Sequence, residues 1–220
     1  DVLRVMLERR VARPLIAGET WLGPRAGVQL SSDRALEAQA PWALFDREGL
    51  ERENPPALEG TFVSLLAGTL FQWRGTSSTF DGDLNLEHAF AAPGDAEFTQ
   101  ALVQGTYIAR ALRTHYMRVY VRGMAPLGEA DAPPQRRGIL GGGGSLPTEP
   151  IAFFRGDHLA FVESSYIIPV NNIVLPVVGS PQVEVVHLAG AAWTGGEEPR
   201  WVQNAGAGVI FALARARVVI

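Results

Sequence analysis

The sequence predicts an all-β fold: an antiparallel up-and-down transmembrane β-barrel, or the C-terminal part of a larger one. Three observations predict it. Stretches of two-residue alternation between apolar and polar side chains recur along the chain. Many run to roughly 9–13 residues, where ordinary strands average about 5–6 and a tilted strand crossing a bilayer needs about 9–11. The prolines gather almost wholly between these stretches, as they do in β proteins.

Taken in order, the first ten residues leave room for one strand, and Trp21–Ser31 and Gly60–Arg74 follow. Thr79–Phe90 is the clearest. Phe80, Gly82, Leu84, Leu86, His88 and Phe90 fall on one side, and Asp81, Asp83, Asn85 and Glu87 on the other. A helix would scatter those acidic side chains around its circumference, whereas a strand collects them on one face. In Phe98–Arg110, Gln100, Gln104, Thr106 and Arg110 oppose Ala101, Val103, Gly105 and Tyr107. In Thr114–Met124, Tyr116, Arg118, Tyr120 and Arg122 oppose Met117, Val119 and Val121. His158–Pro169, Gln182–Trp193 and Trp201–Phe211 are further strands, and Arg215 and Arg217 alternate with apolar neighbours at the C-terminus. About 8–10 strands result, in a single domain or barrel fragment over 1–220, with long loops at 32–59 and 125–157 and another at 171–181. Long loops alternating with short turns suit an outer-membrane barrel, whose polar side chains face the lumen. Asp81, Asp83, Glu87, Arg118, Arg122, Arg215 and Arg217 are the expected lumen lining.

Composition narrows the function classes. With 220 residues, 47% of them hydrophobic, the chain is not disordered. Net charge is −4, which excludes a broad nucleic-acid-binding surface. There is no Cys, hence no disulfide, thiolate chemistry or Cys-ligated zinc. The most apolar window, 164–193, holds Glu184 as its only charge. It is broken by Pro169, Asn171, Asn172, Pro176, Gly179 and Pro181, so no helix of about 18 apolar residues can span a membrane. The chain starts at Asp1 and is expected to be a processed protein or a fragment.

Chemical motifs are sparse. Asp81, Asp83 and Glu87 recur about 7 Å apart along a strand, a glycosidase-like spacing, but a polar wall explains them more simply. The four His show no metal-ligand spacing, and His88 and His187 fall on apolar faces. Gly141–Gly144 lacks the Lys and the helix of a phosphate loop, and Ser145, Ser164 and Ser165 lack a nucleophile-elbow context. No catalytic residue, metal site or cofactor is expected. Trp21, Trp73, Trp193 and Trp201 lie near strand ends, where interfacial aromatics sit.

The last third of the chain carries a pattern. Ile139-Leu140-Gly141-Gly142-Gly143-Gly144-Ser145-Leu146 precedes Phe154-Arg155-Gly156-Asp157. Tyr166-Ile167-Ile168-Pro169, Gly190-Ala191-Ala192-Trp193 and Gly206-Ala207-Gly208 follow. This order resembles the C-terminal barrel half of the bacterial surface antigen (BamA) superfamily of outer-membrane proteins. The resemblance implies a barrel of the Gram-negative outer membrane, surrounded by lipid or lipopolysaccharide. It implies a role in protein assembly or translocation, or in anchoring a partner or fused domain. The missing N-terminal part of the same barrel is a further expected partner. Gly141, Gly142, Gly143 and Gly144, with Arg155, Gly156 in a tight turn, and Asp157, would form a lid loop folded toward the lumen. The family's lid continues with Arg-Gly-aromatic, where this chain has Pro147-Thr148-Glu149. The acidic partners of that Arg correspond to Ser165 and Leu188. Cation and carboxylates are thus absent together, which avoids an uncompensated buried charge and tilts the expectation toward anchoring. The alternative reading is a soluble β-barrel or sandwich binding a small apolar ligand, with Asp81, Asp83 and Glu87 in bulk water.

Overall fold

The computed structural model describes residues 2–9, 11–12, 18–34, 57–128, 130–174, 180–211 and 217–219. Its strands are β1 (Val2–Glu8), β2 (Val11–Ala12), β3 (Glu19–Asp33), β4 (Gly60–Arg74), β5 (Ser78–Ala89), β6 (Phe98–Arg110), β7 (Tyr116–Pro126), β8 (Gly138–Leu140), β9 (Phe154–Gly156), β10 (His158–Pro169), β11 (Gln182–Trp193), β12 (Val202–Ile210) and β13 (Arg217–Val219). Among the described residues there is no α-helix, only a 3-10 turn at Pro134–Arg136.

One large antiparallel sheet holds all but two of the strands, in the order β1-β3-β4-β5-β6-β7-β10-β11-β12-β13. The short β2 continues β1 along β3. The interruption between β1 and β2 falls beside Pro24, which has no N–H to give and accepts instead from Arg9 N at 3.1 Å. Strands β8 and β9 form a separate hairpin inside the connection between β7 and β10.

Register sorts the side chains by charge. Asp83 stands opposite Gln104, and Gln104 opposite Arg122. The same parity carries Arg4, Glu8, Glu19, Arg25, Asp33, Arg74, Asp81, Glu87, Arg110, Arg118, Glu163 and Glu184 to one face. Every Asp, Glu and Arg of β1, β3–β7 and β10–β12 lies there. The opposite, bare face of these strands is built from Leu, Val, Ala, Phe, Tyr, Trp and small or uncharged polar residues. Its aliphatics are open to the surroundings: Val28 is 56% exposed, Leu65 48%, Val103 48% and Leu84 39%.

The sheet has two unlike ends. Turns 75–77 and 111–115 lie at one, and the connections 90–97, 127–157 and 194–201 at the other. The 170–181 connection, expected among the long loops, falls with the short turns because it joins β10 to β11 at that end. The long loop expected at 32–59 starts after Asp33, which still pairs with Gly60; its stretch 35–56 lies outside the described residues.

Candidate functional site

The connection from β7 to β10 is more than the long loop expected at 125–157. It carries the 3-10 turn and the β8–β9 hairpin, and it lies as a strap across the charged face. Two sets of contacts hold it. On one side Leu140 and Leu146, both fully buried, pack with Leu159, Phe161, Val186 and Leu188 of β10 and β11, while Thr148 N and Oγ1 donate to Asn204 Oδ1 at 3.1 and 2.6 Å. On the other side Arg136 donates to Ser31 Oγ at 2.9 Å and lies 4.0 Å from Asp33 and 3.8 Å from Glu87. Gln135 donates to Asp33 at 3.1 Å and to the Leu58 carbonyl at 2.9 Å.

The expected lid residues divide. Gly141 and Gly142 have φ of 118° and 82°, which side-chain-bearing residues rarely adopt, and they shape the turn at the strap's tip. Gly141 N donates to Ser145 Oγ at 2.8 Å and Gly142 N to the Leu146 carbonyl at 3.0 Å, which directs Leu146 into the cluster. Gly143 and Gly144 complete that turn. Arg155, by contrast, is exposed and donates to its own hairpin at Ala152 O, 3.1 Å away. Gly156 is not in a tight turn: it ends β9, where a Cβ would come within 2.0 Å of the Trp193 carbonyl oxygen. Its smallness serves close approach rather than a turn. Asp157 is buried at the foot of the hairpin and accepts from His158 Nδ1 at 2.6 Å and Gly195 N at 3.0 Å. Burial, the largest influence on that carboxyl, pushes its pKa up. The hydrogen bonds from His158 and Gly195 and the charges of His158 and Arg137 outweigh burial, so it lies below the ordinary carboxylate value.

Of the residues expected to line a lumen, Asp81, Asp83, Glu87, Arg118 and Arg122 share the strap face. Asp83 and Asn85 both accept from Arg25. Glu87 accepts from Ser64 at 2.9 Å and Gln100 at 3.1 Å, and Asp81 pairs with Arg74 at 2.8 Å. Arg215 lies outside the described residues; Arg217 begins β13 opposite Ile210, and its side chain is not among those described. A cavity of about 380 Å³ opens on this face between Arg4, Arg25, Asp83, Glu87 and Gln100.

The sequence reading missed two groups. Arg118 donates to Glu163 at 2.8 Å and to the buried Glu184 at 3.1 Å, so the wall of β10 and β11 does carry carboxylates, each offset from Ser165 and Leu188 along the same face. Neither Glu was assigned a face from the sequence; their meeting with Arg118 depends on the register of β7, β10 and β11. Arg136 and Gln135 sit in a segment without periodicity, so no sequence signal marked them. His88 and His187 lie on the bare face, as expected, and meet Thr99 Oγ1 at 2.8 Å and Gln203 Oε1 at 3.3 Å. No protein-family model matches the chain, and no curated protein matches it either.

Proposed function

We propose that this chain forms the wall of an outer-membrane β-barrel, of the kind the bacterial surface antigen resemblance implies. It acts in protein assembly or translocation at that membrane, or in anchoring a partner or fused domain. One observation carries the reading: every Asp, Glu and Arg of β1, β3–β7 and β10–β12 lies on the strap face, while the other face is uncharged and openly apolar. A contiguous apolar face of this size is unusual on a soluble protein and suits hydrocarbon. Phe71, Trp73, Phe80, Tyr107 and Tyr166 of the bare face cluster toward the turn end, and Trp193 stacks on His158 at the other, as an aromatic girdle at each membrane interface would. The soluble alternative needs its apolar face covered, whereas Val28, Leu65, Leu84 and Val103 of the bare face are open. The strap packs by apolar contacts and Arg136, without the family's Arg-Gly-aromatic lock, which supports anchoring over active translocation.

Leu84→Arg tests the reading. Near the midplane of a bilayer this change costs about 2–4 kcal/mol. The unsubstituted chain is expected in the urea-washed outer membrane with a gel mobility that shifts on boiling, and Leu84→Arg should reduce both. A chain that stays soluble, or that tolerates Leu84→Arg in the membrane without loss, overturns the reading.

A further inference from the structure

We propose that the turn end of the strap face is a phosphate-binding site. A cavity of about 600 Å³ opens there, between turn 75–77, turn 111–115 and the end of β10. Arg110, on the strap face at the end of β6, and Arg113, in the second turn, supply its cations, and Ser77, Ser78, Thr79 and Thr114 its hydroxyls. No Asp or Glu lines it.

Among the described residues neither Arg110 nor Arg113 makes an ion pair or a side-chain hydrogen bond, whereas Arg25, Arg74, Arg118 and Arg136 are each matched to a carboxylate. Two guanidinium forks therefore remain open toward one cavity. Their frame is tied: Arg110 N donates to Ser77 O at 2.8 Å, joining the two turns, and His115 Nδ1 lies 3.0 Å from Tyr166 Oη. Arg113 itself has φ of 34°, a left-handed conformation that non-glycine residues seldom take and that clusters at binding sites.

The charge of the whole end agrees. Among the described residues that join strands there, 75–77, 111–115, 170–174, 180–181 and 211, there is no Asp or Glu, and Arg113 is a cation. The described residues of the segments at the other end, 34, 57–59, 90–97, 127–128, 130–157 and 194–201, hold eight Asp or Glu against five Arg. Such a division draws anions to the turn end. Guanidinium forks match the oxygens of a phosphate in pairs, and hydroxyls donate to the remainder. Either a phospholipid headgroup at the rim or a soluble phosphate supplies that chemistry. The site stands on this pocket whether or not the bare face meets lipid.

The test is calorimetric titration of the full chain in an uncharged maltoside detergent at low ionic strength. The probes are inorganic phosphate and dihexanoyl phosphatidylglycerol. Binding is expected, and Arg110→Gln with Arg113→Asn should weaken it about tenfold or more, Asn being tolerant of the left-handed backbone. Phosphatidylglycerol binding about tenfold tighter than phosphate assigns the site to a headgroup; equal affinities assign it to a free phosphate. A second measurement needs no variant: either probe should protect Arg110 and Arg113 of the unsubstituted chain from phenylglyoxal, read by mass spectrometry. Absence of binding by both probes, unchanged affinity in a folded double variant, or absence of protection overturns the proposal.

Discussion

Arg118 shows what a single side chain does on the strap face. It serves two carboxylates from two neighbouring strands, and one of them, Glu184, is only 1% exposed. Removing a cation from a buried pair costs about 3–5 kcal/mol, and the one-third exposure of Arg118 places this case near the low end. Arg118→Met should therefore lower the urea unfolding midpoint, and adding Glu184→Gln should restore part of it. Equal midpoints for Arg118→Met and the unsubstituted chain would remove the pair from the account of stability. Asp157 makes a pH prediction. Its carboxyl lies lower in the folded chain than the roughly 3.9 of an unfolded Asp, so it stabilises the hairpin foot fully above that value. The contribution is lost as pH falls through the folded value. Amide protection of Gly195, which donates to Asp157, should hold from neutral pH to about 4 and then fall, and Asp157→Asn should abolish that step. These roles were half legible beforehand. Parity gave the face of Asp81, Asp83, Glu87, Arg118 and Arg122, but which cation met which carboxylate depended on register between strands far apart in the chain.

At the scale of elements, the strands were the most legible part. Gly60–Arg74, Phe98–Arg110, His158–Pro169 and Gln182–Trp193 match the alternating stretches end to end, because a sheet with one polar face imposes a period of two on every strand. The strap was not legible, since it is held by tertiary packing and has no period of its own. It is also energetically separable. Strands β7 and β10 pair directly from Tyr116–Ile167 to Met124–Leu159, so the segment between them leaves and rejoins the sheet at adjacent strands. Leu146→Ala removes a fully buried strap side chain and should cost about 2–5 kcal/mol of strap docking. Limited proteolysis should then cut within 138–157 while the strands stay protected. Simultaneous loss of protection in β7 and β10 would show that strap and sheet form one cooperative unit.

For the whole molecule, the recurring two-residue alternation predicted the all-β class, and the strands of the large sheet follow one another as an antiparallel meander. The register holds one further consequence. A line drawn straight across the sheet through hydrogen-bonded partners runs Arg25, Gly68, Asn85, Leu102, Met124, Leu159, Ala192. It begins at the middle of β3 and arrives one residue from the end of β11. The strands are thus progressively staggered, and in a barrel such shear fixes an inclination of about 35–45° to the axis. A strand of 12 residues, the length of β10 and β11, is about 40 Å long at about 3.3 Å per residue. Inclined by about 40°, it rises about 30 Å, the depth of a bilayer's hydrocarbon. On the proposed reading, strand length and stagger are therefore one quantity: a deletion that shortened the strands would have to straighten them to keep the same reach.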